Sequence, residues 1–372
     1  MNQVIVKEFS EVEAKNAIKK MYHLKSPGPD GMPLLFYQHF WPNIGGVVTS
    51  TVLDFLNSGI IPPNFNHTHN FLISKCKEPK TVIDYRSISL CNVVYKIVLK
   101  AITNRWKKVL PSIIIDTQSA FVHGRLITDI VLVAYEMMYH ISQKKSGRMG
   151  DLALKLDMSK AYDRVEWIWL KKIMQRLGFE EKWCALIMRC VTTISYSVKI
   201  NGKPKGHIVP SRGIRQGDPL SPYLFLLCAE GLFALIKKEV ENGRLGGVAI
   251  CRRGPKISHL FFADDSLIFC KASLEECDAL QRVLRVYECA SGQQLNRTKT
   301  SLFFSSNTPM DIQEIIKERF GAQVIKHHEK YLGLLSLVGR NKKNTFNSIK
   351  DKLRKKLAGW KRSYCLRQEK KC

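Results

Sequence analysis

The run HLFFADDSLIF, residues 259–269, sets two adjacent carboxylates into the middle of an apolar segment. A lone carboxylate withdrawn from water costs several kcal/mol or takes up a proton. The flanks Phe261-Phe262 and Leu267-Ile268-Phe269 therefore predict two buried strands, joined by a turn at Ala263–Asp265 that carries Asp264 and Asp265. On its own an Asp-Asp pair in a turn is most simply a hydrophilic tip. Whether these acids do chemistry depends on what else the chain brings to them.

Charge narrows the partners. The 372 residues include 59 Lys and Arg against 32 Asp and Glu, a formal net charge of +27. Such an excess favours a polyanion, either nucleic acid or an anionic membrane surface. The longest apolar stretch, from Tyr223 to Ile236, is shorter than a bilayer span and contains Glu230. The N-terminus MNQVIVKEFSEVEAKNAI lacks the basic and apolar blocks of a secretory signal. Nucleic acid is the expected partner, with no membrane, and the expected location is intracellular, in cytoplasm or nucleus. None of the eleven cysteines forms a Cys-x-x-Cys pair. Free thiols are expected, with Cys184 and Cys190 on a helix and a strand, and no zinc module.

Along the chain, Ser10-Glu11-Val12-Glu13 is a capping box that predicts a helix to about Leu24, stopped by KSPGPDG, residues 25–31. A short strand is expected at NFLISK (70–75) and helices near 91–110 and 126–143. In DLALKLD (151–157) the alternation places Leu152, Leu154 and Leu156 on one face and Lys155 and Asp157 on the other. Val165, Trp169, Ile173 and Leu177 recur at helical spacing up to Gly178. YSVKING (196–202) reads as strand and turn. Ser221-Pro222 predicts an N-cap and first turn for an apolar helix ending near Asn242-Gly243. A helix at 274–290 and a strand at SLFFS (301–305) follow the acidic hairpin. Residues 341–371 hold twelve Lys or Arg and two acids around Trp360. That run reads equally as a solvated helix face or as a nucleic-acid contact.

Asp157 ends one strand and Asp264-Asp265 tip another, so the three converge if those strands are neighbours. Converging carboxylates stay ionised most readily around a hard divalent cation. The segments KLDMSKAYDRVEW (155–167), RGIRQGDPLSPYLF (212–225) and FFADDSLIF occur in that order, and in that order they resemble motifs A, B and C of reverse transcriptases. Adding KSPGPDG, DYRSISLCNVVYKIV (84–98), QSAFVHGRLITD (118–129), ASGQQLNRTKTSLFFS (290–305) and YLGL (331–334), the chain resembles the reverse transcriptase of plant LINE-type, non-LTR retrotransposons to about Trp360.

That resemblance implies an α+β right-hand polymerase: fingers over 1–145, and a palm over 146–340 with an antiparallel sheet backed by helices. A basic tail over 341–372 follows, with the thumb missing or truncated. It implies an RNA-directed DNA polymerase that adds dNTPs to a DNA primer on an RNA template with two Mg²⁺ ions, Mn²⁺ substituting. Asp157, Asp264 and Asp265 would be catalytic and metal-binding. Tyr162 would lie beneath the sugar and reject a 2′-hydroxyl, unless it is simply a core residue on a helix beginning there. Gln216 and Gly217 would meet the incoming nucleotide, with Gly213 giving close backbone approach. Lys75 and Arg86 would hold the triphosphate, and Lys299 would protonate the departing pyrophosphate. Asp163, Trp167 and Trp169 read as structural, and His123, His327 and His328 have no matched role.

The chain departs from that family at Ser74, Ser87, His123 and Leu335, where proline is usual; each loses a backbone constraint of about 0.4–1 kcal/mol. Residues 363–372, SYCLRQEKKC, read as out-of-frame translation: back-translated and stepped back one base, they give Leu-Leu-Ser-Gln-Ala-Gly-Lys-Glu-Val, a segment like that which follows GWK in the family. The endonuclease and RNase-H-like regions of a full element are not in this chain. The alternative to the enzyme is a truncated nucleic-acid-binding relic.

Overall fold

The computed structural model describes residues 1–22, 26–251 and 253–325, with 330–332, 334, 335, 347, 350, 351, 353, 354 and 357 beyond them. The expectations for His327, His328, Trp360 and residues 358–372 lie outside the described residues, as does most of the basic tail.

The chain opens with α1 (Asn2–Ile5), α2 (Glu11–Lys19), α3 (Leu34–His39) and α4 (Trp41–Ser58), then β1 (His67–Ser74), β2 (Tyr85–Cys91), α5 (Val93–Val109) and α6 (Ile127–Gln143). It continues with β3 (Asp151–Leu156), α7 (Trp167–Arg176), α8 (Glu181–Thr192), β4 (Ser195–Ile200), β5 (Lys203–Ile208) and α9 (Ser221–Glu241). Next come β6 (Val248–Ala249), β7 (Lys256–Ile257), β8 (His259–Phe262), β9 (Asp265–Lys271), α10 (Leu274–Ser291) and β10 (Ser301–Phe304). The last described elements are α11 (Met310–Phe320), β11 (Gln323–Val324), β12 (Lys330–Tyr331) and β13 (Leu334–Leu335).

Two larger sheets organise these elements, one of four strands in the order β2-β1-β4-β5 and one of five in the order β11-β10-β3-β9-β8. In the five-stranded sheet β3 is central and antiparallel to both neighbours, while β10 and β11 pair in parallel. The expected mixed α+β architecture with an antiparallel sheet is what forms, and helices cover both of its faces. Leu152, Leu154 and Leu156 share one apolar cluster with Leu232 and Ile236 of α9 and Leu280 and Leu284 of α10. Ala153 points the other way, into a cluster with Ile130, Ala134, Met137 and Ile141 of α6. So the alternation in DLALKLD marks two buried faces, not one buried and one polar. Asp151, which begins β3, is buried and held by Lys271 Nζ at 2.7 Å and Lys144 Nζ at 3.0 Å.

Several expected boundaries shift for local reasons. The Ser10–Glu13 capping box forms, but α2 ends at Lys19, short of Leu24. Gln38 of α3 donates to the carbonyls of Ile18 and Met21, which takes up the acceptors another helical turn would need. Val165 precedes α7 rather than joining it. Cys184 and Cys190 both lie on α8, not on a helix and a strand. At the start of α9 the cap position is Leu220, and Ser221 is already helical. The Leu220 N–H is satisfied by Asp218 Oδ1 at 2.7 Å in a turn leading into the helix, and the cap residue's own side chain makes no bond to the first turn of α9, whereas Ser221 was expected to make one. Ser195–Ile208, a hairpin turning at Asn201-Gly202, pairs in parallel with β1 and so completes the four-stranded sheet.

Candidate active site

The acidic hairpin forms. Phe262 pairs with Asp265 across a two-residue turn of Ala263 and Asp264, so Asp265 is the first residue of β9 rather than part of the turn. Antiparallel pairing of β3 with β9 runs to Leu156 opposite Ser266. One step further brings Asp157 opposite Asp265, so the three acids share one end of the central strand pair. Asp264 is exposed and the other two are half-buried. Burial holds the Asp265 carboxyl above the usual range; the charges of Asp264 and Asp157 push it the same way, and Lys155 opposes them.

Tyr162 stands in the loop after Asp157, not on a helix, because α7 begins at Trp167. Its ring lies flat on Phe225 of α9, with centroids 5.1 Å apart and planes 7° apart. Burial, then the charge of Asp264, pushes its phenol up to about 12. The phenol is therefore protonated at neutral pH and within the field of the acidic turn. Ile214 N donates to the Tyr162 carbonyl at 2.8 Å, and Gly213 N to the Val165 carbonyl at 2.8 Å. Gly213 has φ +92°, and a Cβ there would meet the Asp163 carbonyl at 2.8 Å, so that approach needs glycine. Trp167 is partly buried and donates to the Gly213 carbonyl at 2.7 Å, which joins the same two segments. Trp169 packs in the core and edge-on to Tyr287. Burial raises the Asp163 carboxyl, while the charges of Lys160, Lys75 and Arg164 draw it back.

Gln216 is half-buried, and its carbonyl accepts from Ser89 N of β2 at 2.9 Å. Gly217 beside it has φ +100° and faces Ile88 and Ser89. The neighbouring Arg215 is buried against Asn66, and Asp218 lies 3.9 Å from its guanidinium. Lys75 follows β1 directly, and its Nζ donates to the Ile83 carbonyl at 2.9 Å. Arg86 is exposed on β2 opposite Ile73. Lys299 is exposed just before β10, and the β3–β10 register puts it at the same sheet end as Asp157. His123 is exposed.

Spacing alone does not reveal two buried glutamines at this site. Gln118 Oε1 accepts from Ala263 N at 3.2 Å, and Gln293 Nε2 donates to the Ala161 carbonyl at 2.7 Å. Both lie in segments that carry the resemblance, QSAF and SGQQL, but nothing in the residues themselves singles them out. Phe225 is equally silent in sequence, being one apolar residue among many on α9.

The donor set is all oxygen, with three carboxylates whose charges bear on one another, which is the chemistry a hard divalent cation satisfies. Among the described residues no group of three His, Cys, Asp or Glu side chains is drawn together at metal-holding spacing. The strands bring the acids to a common end without closing them on each other. No helix among the described residues is long and apolar enough to cross a membrane.

Comparison with known proteins bears on this arrangement. The family described as reverse transcriptase (RNA-dependent DNA polymerase) matches residues 77–335. The chain is 29% identical over 299 residues to the Transposon TX1 uncharacterized 149 kDa protein of Xenopus laevis, covering 80% of this chain and 22% of that protein. It is 25% identical over 223 residues to a Retrovirus-related Pol polyprotein from type-1 retrotransposable element R2 of Popillia japonica, covering 60% and 29%. A 67-residue stretch is 57% identical to an uncharacterized mitochondrial protein of Arabidopsis thaliana, covering 18% and 55%. The chain thus spans between 22% and 55% of the length of these curated relatives.

Proposed function

This chain belongs to the reverse transcriptase (RNA-dependent DNA polymerase) family, and from that premise we propose that it extends a DNA primer on an RNA template as a domain of a plant LINE-type retrotransposon. The observation that carries the reading is the β3–β9 register, which sets Asp157 opposite Asp265 with Asp264 in the adjoining turn. The 57% identity to an Arabidopsis segment supports the plant assignment. Residues 1–145 act as fingers and 146–340 as palm, the hairpin 195–208 crossing from the palm segment to join β1 and β2 in the four-stranded sheet. The described cysteines are free thiols, which supports a reducing, intracellular setting.

Asp157, Asp264 and Asp265 are the residues that would hold divalent ions, Mg²⁺ or Mn²⁺, which when bound would supply charge neutralisation for phosphoryl displacement. The chain's own groups position the reactants. Lys75 and Arg86 on the β1–β2 hairpin bind the triphosphate, and Gln216 with Gly217 faces the incoming nucleotide. The primer 3′-hydroxyl gives up its proton to solvent as its oxygen forms a bond to the α-phosphorus and the bond to the bridging oxygen breaks. Pyrophosphate leaves and takes a proton from Lys299, which solvent restores. Tyr162, stacked on Phe225, fills the space a 2′-hydroxyl would need.

Primer extension on an RNA template with Mg²⁺ tests this. Asp264→Asn is expected to lower extension by at least about a thousandfold, as loss of transition-state charge stabilisation does, while nucleic-acid binding persists. Binding without extension by the unaltered chain would instead support the relic.

A further inference from the structure

Each of the two turns that carry the carboxylates contains one non-glycine residue in the left-handed region. Lys160 has φ +51°, three residues after Asp157, and Ala263 has φ +55°, directly before Asp264. Such a conformation is disfavoured for L-residues and persists only where the surroundings hold it.

Both turns are held in the same way, by a flanking segment joined to the sheet through an isolated bridge, with a buried glutamine in or beside it. Residues 117–119 lie along β8: Phe261 N donates to the Thr117 carbonyl at 2.9 Å and Ser119 N to the Phe261 carbonyl at 3.3 Å. From there Gln118, 1% exposed, accepts through Oε1 from Ala263 N at 3.2 Å and Ala120 N at 2.9 Å. On the other side, residues 294–296 lie along the end of β3. Ser159 N donates to the Gln294 carbonyl and Asn296 N to the Asp157 carbonyl, both at 2.8 Å. Gln293, 0% exposed, donates through Nε2 to the Ala161 carbonyl at 2.7 Å. That carbonyl belongs to the peptide leading into Tyr162, whose own carbonyl accepts from Ile214 N. The peptide units on both sides of Tyr162 are therefore pinned.

Partner chemistry fixes the orientation of each amide, since an N–H can only donate and a carbonyl can only accept. The remaining atoms, Gln118 Nε2 and Gln293 Oε1, are buried without a hydrogen-bond partner. An unpaired buried polar atom is unfavourable, and methionine would fill the same space without one. What glutamine alone supplies is the bond to the turn.

We propose that Gln118 and Gln293 are paired positioning residues: Gln118 sets the Asp264–Asp265 turn and thereby the grip on a divalent cation, and Gln293 sets Tyr162 and thereby the choice of sugar. The proposal rests on the polymerase reading and adds a division of labour to it.

The test uses the full chain with Gln118→Met and Gln293→Met and two readouts. One is Mn²⁺ affinity without substrate, from the electron paramagnetic resonance signal of free Mn²⁺. The other is the dNTP-to-rNTP preference in primer extension. Gln118→Met is expected to weaken Mn²⁺ binding about tenfold, as loss of an outer-shell partner does, and to change the sugar preference less than about twofold. Gln293→Met is expected to do the reverse, with deoxy preference falling about tenfold. Gln118→Glu keeps an acceptor oxygen and should stay within about threefold of wild-type Mn²⁺ affinity. Should Gln118→Met not fold, Gln118→Asn, one methylene short of the Ala263 N–H, carries its arm with the same weakening expected; should Gln293→Met not fold, Gln293→Asn, one methylene shorter, replaces it. Both readouts falling together in each variant, or neither moving, overturns the proposal. A wild-type chain that binds no Mn²⁺ defeats the polymerase reading and this proposal with it. Wild-type binding left unchanged by Gln118→Met defeats the glutamine assignment alone.

Discussion

In the five-stranded sheet, β3 buries five of its six residues and β9 five of its seven, whereas β5 in the four-stranded sheet buries none. The first sheet is walled by α6 on one face and by α9 and α10 on the other. The second shows Lys203, Lys205 and His207 to solvent, and Lys199 reaches over the Phe71 ring at 5.2 Å. On the function proposed above, the contrast separates two jobs. Carboxylates that must keep a fixed geometry are mounted where close packing resists displacement. Cations that meet a polyanion are mounted where they stay hydrated and free to adjust.

The sharpest way to break that contrast is a matched pair of truncations. Leu154→Ala, at a position 0% exposed on β3, should cost about 3–4 kcal/mol in chemical denaturation, while Leu72→Ala, 42% exposed on β1, should cost under about 1 kcal/mol. Equal losses would show the sheets to be equally packed.

A slightly smaller effect is expected in pH-dependent stability, because the buried side also hides an acid. Glu230 on α9 accepts from Ile115 N at 3.3 Å, and burial pushes its carboxyl up to about 7 against the pull of that bond and of Arg125. An unfolded glutamate titrates near about 4.3. Between those values the folded chain holds a proton that the unfolded chain has lost, so stability falls as pH rises through the window. The total is about 3.7 kcal/mol, of which about 3 kcal/mol falls between pH 4.5 and 7.5. Glu230→Gln should remove that slope, and denaturation midpoints at pH 4.5 and 7.5 check it. His259, pushed down to about 4 by burial, contributes the opposite slope in both proteins and cancels in the comparison.

The smallest effect belongs to the exposed sheet. Lys203→Ala with Lys205→Ala should weaken single-stranded RNA binding about tenfold at low salt and flatten the salt dependence by about 1.4 in log–log slope, with the melting temperature unchanged. An unchanged slope would remove β5 from the nucleic-acid surface.

Much of this was legible in the amino-acid order because it is local. The acidic pair between aromatic flanks specifies a hairpin, alternation specifies β3, and Gly178 and Asn242-Gly243 mark where α7 and α9 run out. What stayed hidden depends on contacts distant in sequence. The carbonyls that end α2 are taken by Gln38, and α6 covers a face of β3 that alternation alone leaves open. The hairpin 195–208 reads correctly as strand and turn, but nothing local says that it joins β1. The same holds at the site. Aspartates announce themselves by charge in an apolar run, whereas Gln118, Gln293 and Phe225 matter only through partners that the fold supplies.

The strap at 292–296 also sets a timetable. Gln293 is 132 residues beyond the carbonyl it holds, and β9 and β10, which flank β3, likewise follow it at long range. At ordinary translation speeds a ribosome needs roughly 7 to 26 seconds to make that interval. Until Lys271 completes β9, the nascent chain exposes the leucines of its future central strand with neither neighbour yet made. Production of this protein should therefore respond more to chaperones that shield greasy segments on the ribosome than to anything done after release.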